Sequence, residues 1–91
     1  MLTKNFLKNL HTKAQTLRPV VLIGAKGLSP TVHQEVEAAL LAHELIKIRV
    51  NAITHEARQE MIDLIVAQHK ATIVQQIGHV LVLYRPKPQK N

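Results

Sequence analysis

The spacing of apolar residues switches repeatedly between helical and strand period, and that succession limits the folds open to the chain. Leu7, Leu10, Ala14 and Leu17 recur at helical spacing, with Thr3 placed to cap the segment. Pro19 disfavours helix at Arg18 and ends it there. Val20-Val21-Leu22-Ile23 is too short for a helix and reads as a strand with both faces covered. Ser29-Pro30 has the form of an N-cap and first helical residue, and Val32, Val36, Ala39 and Leu40 carry a second helix to about His43. From Leu45 to Val50 the period is two. Ile46, Ile48 and Val50 then face one way, Lys47 and Arg49 the other. Thr54 caps a third helix whose stripe is Ala57, Met61, Leu64 and Ile65, fading near His69. Two runs, Thr72 to Ile77 and Val80 to Tyr84, flank Gly78-His79 as a hairpin, and Pro86 and Pro88 stop the second.

The order α-β-α-β-α-β-β predicts an α/β (α+β) domain: a four-stranded mixed sheet packed on helices. Parallel strands would be joined by right-handed crossovers, with one antiparallel hairpin at the end. A chain of 91 residues has room for one core, so residues 1–86 are read as a single domain and 87–91 as a loose basic tail. Parallel strands bring the Gly24–Gly27 loop, the Asn51–Thr54 loop and the Gly78-His79 turn to one edge, where open α/β sheets bind ligands.

Cysteine is absent, which excludes a disulfide scaffold, an Fe–S cluster, a cysteine zinc site and a cysteine nucleophile. No segment has the apolar length of a membrane span. Residues 1–18 are basic, acid-free and amphipathic, in loose likeness to a transit peptide. A first helix running straight into a strand explains them better, and a cytoplasmic protein is expected.

Charge is distributed unevenly. Twelve Lys and Arg face six Asp and Glu, a formal net charge of +6. Residues 1–34 and 71–91 hold no acid; all six lie between Glu35 and Asp63. A compact basic domain points to phosphate. The only aromatic residues, Phe6 and Tyr84, argue against stacking bases on an aromatic sheet.

Gly24-Ala25-Lys26-Gly27 is the most informative motif. Its glycines allow close backbone approach, Lys26 adds a full charge, and the following helix N-terminus offers unpaired donors. It lacks the spacing of a Walker loop and the third glycine of a dinucleotide fingerprint, and a plain β-α turn fits the motif equally well. Lys47 and Arg49 form a second cationic set on one sheet face, or side chains snorkelling past the first helix. Lys4 and Lys8, with His11, share a face of the first helix. Arg85, at the end of the last strand, would line the opposite edge with Arg18. The six histidines are at least ten residues apart, so no metal pair is expected. His55 and His79 fall on the loop edge, as phosphate contacts or as ordinary turn residues. Ser29 reads as a cap, Asp63 lies mid-helix, and no nucleophile–base or carboxylate pair has a recognisable spacing. No cofactor and no enzymatic activity are expected.

Four blocks together carry a resemblance. They are Leu17-x-Pro19-Val20-Val21 leading to Gly24-Ala25-Lys26-Gly27-Leu28, then Glu44-Leu45-Ile46-Lys47, then Ile77-Gly78-His79, then Leu83-Tyr84-Arg85-Pro86. In this order, from Leu2 to Pro86, the chain resembles the CRM (chloroplast RNA splicing and ribosome maturation) domain in its stand-alone bacterial, YhbY-type form. The resemblance implies an RNA-binding domain related in fold to the C-terminal domain of a bacterial translation initiation factor. It also implies a G-x-x-G loop analogous to that of KH domains, and association with precursors of the large ribosomal subunit. The loop role carries to Gly24, Ala25, Lys26 and Gly27, and a supporting basic role to Lys47 and Arg85. The family often has a glycine after the third helix, where this chain reads His69-Lys70-Ala71.

The expected function is therefore non-enzymatic binding of ribosomal RNA during ribosome assembly. The loop, Lys47, Arg49, Arg85, Lys4 and Lys8 would contact RNA, with ribosomal proteins as further partners and no membrane. An architectural DNA-binding protein, a small enzyme or subunit holding a phosphorylated metabolite, and a protein adaptor remain as alternatives.

Overall fold

The computed structural model describes residues 3–24, 27–52 and 54–87. It contains α1 (Lys4–Thr16), β1 (Val21–Ile23), α2 (Pro30–His43), β2 (Leu45–Val50), α3 (His55–His69), β3 (Thr72–Ile77) and β4 (Val80–Tyr84). Each helix starts where the sequence offers a cap. The hydroxyls of Thr3, Ser29 and Thr54 accept from the backbone N–H of Phe6, Val32 and Ala57 at 3.1, 3.2 and 3.0 Å.

The strand order is β1-β2-β4-β3. β1 and β2 are parallel, and β4 is antiparallel to both β2 and β3, with a register shift between Ile73 and Gln75. The hairpin thus folds its second strand into the middle of the sheet. β3 runs in the direction of β2 but is separated from it by β4.

Helices cover both faces. Against α2 and α3 lie Val21, Ile23, Ile46, Ile48, Val50, Leu81 and Leu83, with Val36, Leu40, Ile62 and Ile65. On the other face, Leu10 and Ala14 of α1 meet Leu45, Val74 and Val82, while Phe6 packs edge-on against Tyr84 at 5.3 Å. A core truncation such as Ile48→Ala would cost about 2–5 kcal/mol.

Two expectations need correction. The first strand is an edge strand with one open face: Val20 is 51% and Leu22 60% exposed. Its apolar run reflects an edge position beside β2 rather than burial on both sides. In α3, Leu64 is 58% exposed, and the buried positions are Ile62, Ile65 and His69. The inward seam is rotated from the stripe read in the sequence, because its ends are polar. Lys70, where the family often has glycine, adopts φ 53° and ψ 42° and caps α3 through its N–H to Val66 O. This left-handed conformation is one that glycine adopts without steric penalty. Pro88 and the rest of the basic tail lie outside the described residues.

Candidate nucleic-acid interface

Three connections meet at one end of the sheet, as the parallel strands require. Asn51 N–H donates to Ile23 O at 2.8 Å, and Val50 N–H to His79 O at 2.7 Å. The ends of β1 and β2 and the hairpin turn are thereby tied together. Gly27 N–H donates to Gly24 O at 3.0 Å, which closes the glycine loop on itself. Gly27 has φ +79°, and a Cβ there would sit 3.3 Å from Met61 Cε of α3. Glycine is favoured at this position by its left-handed conformation, while the flexible Met61 methyl would need to shift only slightly for a Cβ. Around Gly24 a Cβ would meet nothing within 4 Å. Ala25 and Lys26 lie outside the described residues.

Beside this edge the sheet face carrying α1 is only half covered. Residue pairing places Leu22, Arg49, Val80 and Ile77 in one row across all four strands. Leu22 and Ile77 are 60% and 63% exposed. Arg49 is exposed, and its Nε donates to Asn51 Oδ1 at 3.2 Å. One step down β2, Lys47 is half-buried. It lines a groove with Ala14 and Gln15 of α1 and with Gln75, Ile77 and Val80. It is therefore neither a freely exposed sheet cation nor a core residue, but shares a groove with α1. Lys4, Lys8 and His11 precede Gln15 at helical spacing, so the flank of α1 that borders this groove also carries both lysines. The structure thus groups Lys4, Lys8, Lys47 and Arg49 around one open half-sheet that leads to the glycine loop.

The sheet also sorts charge. All six acids lie on α2, on α3 or, as Glu44, at the C-cap of α2. α1 and all four strands contain none. The open face is acid-free, while the opposite layer holds every carboxylate side chain but that of Glu44, which accepts from Lys87 N–H past the end of β4.

Arg85 stands apart, at the other end of the sheet. Its Nη1 and Nη2 donate to Glu37 Oε1 and Oε2 at 2.9 and 2.8 Å, and Nη1 also donates to His69 O at 3.0 Å. His69, 5% exposed, places Nδ1 2.9 Å from Glu37 Oε1. These bonds, Arg85's above all, hold the Glu37 carboxyl at about 2, well below the usual range, and the same pair raises Arg85. Its cation is matched by a carboxylate and does not join the open face.

Sequence reasoning passed over Arg58. Its Nη2 and Nη1 lie 3.1 and 3.3 Å from the Nδ1 atoms of His55 and His79. The i, i+3 spacing of His55 and Arg58 was visible, but nothing in the sequence brings in His79 from the hairpin turn.

With this geometry in place, comparison with known proteins is decisive on kinship. The family model described as the CRS1 / YhbY (CRM) domain matches residues 2–85. The chain belongs to that family. A Haemophilus influenzae protein named as RNA-binding is 49% identical over 86 residues, spanning 94% of this chain and 84% of that one. A Pseudomonas aeruginosa relative, whose name assigns RNA binding provisionally, is 36% identical over 92 residues, spanning 99% of this chain and 88% of its own. A solution structure from Staphylococcus aureus, described as a candidate RNA-binding protein, superposes with a TM-score of 0.80. It is 25% identical and matches 100% of this chain and 95% of its own. The expected CRM fold, three helices on a four-stranded mixed sheet, is the fold observed. Among the described residues no helix is long and apolar enough to cross a membrane.

Proposed function

We propose that this CRM-domain protein binds RNA with the acid-free face formed by α1 and the open half-sheet, together with the Gly24–Gly27 edge. The absence of any acid from α1 and the four strands, with five of the six carboxylate side chains on α2 and α3, carries this reading. In the CRM family it is supported by relatives named for RNA binding. Backbone amides of Gly24, Ala25 and Lys26 and the N-terminus of α2 would take phosphate oxygens, with Lys26 as counter-charge and Gly27, its N–H held by Gly24 O, shaping the loop. Lys47, Arg49, Lys4 and Lys8 would continue the phosphate track. Arg85 supports the fold at the far edge instead. Contacts of this kind position RNA without reading bases, so selectivity would come from RNA shape. The family resemblance directs the target toward ribosomal RNA in precursors of the large subunit, with neighbouring ribosomal proteins.

Filter binding of structured ribosomal RNA, single-stranded RNA and duplex DNA at equal salt tests the reading. Neutralising four to six phosphates predicts a log K against log salt slope of roughly −3 to −4 on single-stranded RNA. Tighter binding to RNA than to duplex DNA is expected. A slope near zero refutes the phosphate-contact mechanism, and a preference for the duplex refutes RNA as the target. Sedimentation of extracts then locates the protein across ribosomal fractions, and absence from large-subunit precursors refutes the assembly role.

A further inference from the structure

The inward seam of α3 begins at Arg58, continues through Ile62 and Ile65, and ends at His69. Arg58 is half-buried, and its Nε is buried with no hydrogen-bond partner among the described residues. At the loop edge it meets two exposed histidines, His55 at the first turn of α3 and His79 in the hairpin turn.

A guanidinium carries only donors. To bond with it, both facing imidazole nitrogens must therefore lack a proton. His79 cannot serve every neighbour at once. Its Nδ1 lies 3.1 Å from Val50 O, which needs a proton on Nδ1, and 3.3 Å from Arg58 Nη1, which needs a lone pair there. The cluster has more donors than acceptors, and protonating either ring makes the surplus larger.

We propose that Arg58, His55 and His79 form a proton-linked site for a phosphate group of the RNA backbone, distinct from the Gly24–Gly27 loop. The inference rests on the RNA-binding reading above. A phosphate oxygen supplies the acceptors the cluster lacks. Once His79 is protonated, its Nδ1–H bonds Val50 O and Arg58 turns to the anion. His55, protonated, can no longer accept from Arg58 and becomes a second cationic donor at the N-terminus of α3, which already favours anions. Phosphate binding and proton uptake then favour each other.

The charged surroundings are few. α3 contributes Arg58 itself and Glu56, the one acid in its first turn, which opposes the anion. β2 contributes Arg49, bonded to Asn51. The hairpin turn contributes only His79. The described residues of the β1–α2 connection, Gly24 and Gly27 to Ser29, carry no charge.

Fluorescence anisotropy with a labelled single-stranded ribosomal RNA fragment, at pH 8 and pH 6 and constant ionic strength, tests the linkage. The parent is expected to bind about tenfold tighter at pH 6, since each imidazole whose pKa rises by one unit on binding adds up to a factor of ten. Both histidines are exposed, so a His55→Gln/His79→Gln double variant should melt like the parent, bind at pH 8, and tighten less than about threefold. Equal pH dependence in parent and variant overturns the site, because His11, His33, His43 and His69 are present in both. Imidazole NMR titrations with and without inorganic phosphate give a second readout. Phosphate should move the titrations of His55 and His79 to higher pH and leave the other four in place; no movement overturns the proposal. If the parent binds RNA at neither pH, the RNA reading falls, and the phosphate titration still decides the site.

Discussion

Replacing Arg85 with methionine separates a fold-supporting cation from an RNA-binding one. Methionine keeps much of the aliphatic stem and removes the guanidinium. Hydrogen bonds to charged groups contribute about 1.5–3 kcal/mol when protected. Here the Glu37 side chain is 44% exposed and Arg85 18%, so water screens the pair. We discount it to about 1 kcal/mol. The carbonyl of His69 loses a donor as well, roughly another 1 kcal/mol. The sum, about 2 kcal/mol, corresponds to a fall in Tm of roughly 8–16 °C for a domain of this size. Acidity supplies a second signature. Glu37 is held at about 2 against an ordinary 4.5, so its contribution is complete above pH 4.5 and is lost as pH falls toward 2. The stability gap between parent and Arg85→Met should therefore be widest at neutral pH and narrow across that window. RNA affinity at neutral pH should stay within about twofold, since Glu37 already matches the charge. Circular-dichroism melts from pH 7 to 2, with binding curves on the same samples, measure all three. A variant that melts like the parent yet binds RNA poorly would refute the argument and return Arg85 to the RNA surface.

Two further outcomes follow from the open face and the loop. Gly24→Asp places a carboxylate at the loop without the strain that Gly27, at φ +79°, would add, and its Cβ meets nothing within 4 Å. It should weaken RNA binding at least about tenfold at unchanged Tm, with Gly24→Ala near the parent; parent-like binding by the aspartate variant would make the loop only a turn. Lys47→Met preserves the half-buried aliphatic stem and should change stability by less than about 0.5 kcal/mol. It should also reduce the salt slope on single-stranded RNA by roughly 0.7, and an unchanged slope would remove Lys47 from the phosphate track.

Local chemistry made much of this fold legible. Thr3, Ser29 and Thr54 each bond a backbone N–H three residues on, a relation written wholly in neighbouring residues. The hairpin around Gly78-His79 and the alternation of β2 are of the same kind. The shared loop edge followed from strand direction alone. What stayed hidden depends on tertiary partners. The seam of α3 was misread because its polar ends, Arg58 and His69, broke the apolar pattern, and exposed Leu64 completed a false one. Arg85 looked like a free cation because Glu37 is 48 residues away, and His79 reaches Arg58 across 21. The exposure of Leu22 was equally invisible, since an edge strand and a central strand can share one short apolar sequence.

The position of the acids has a consequence beyond the sum of charges. RNA bound at the open face, as proposed, would be separated from the carboxylates of α2 and α3 by the sheet and the packing beneath it. Packed layers of secondary structure lie about 8–10 Å apart, while screening acts over about 8 Å at physiological salt. Phosphates on the α1 side would then feel Lys4, Lys8, Lys47 and Arg49 more strongly than the acids. Glu37 is already matched by Arg85, which reduces the reach of that layer further. A net charge of +6 understates the attraction available to RNA on one face and overstates it on the other. On the proposed reading, orientation would be set before contact, with the glycine loop at the rim of the attractive face.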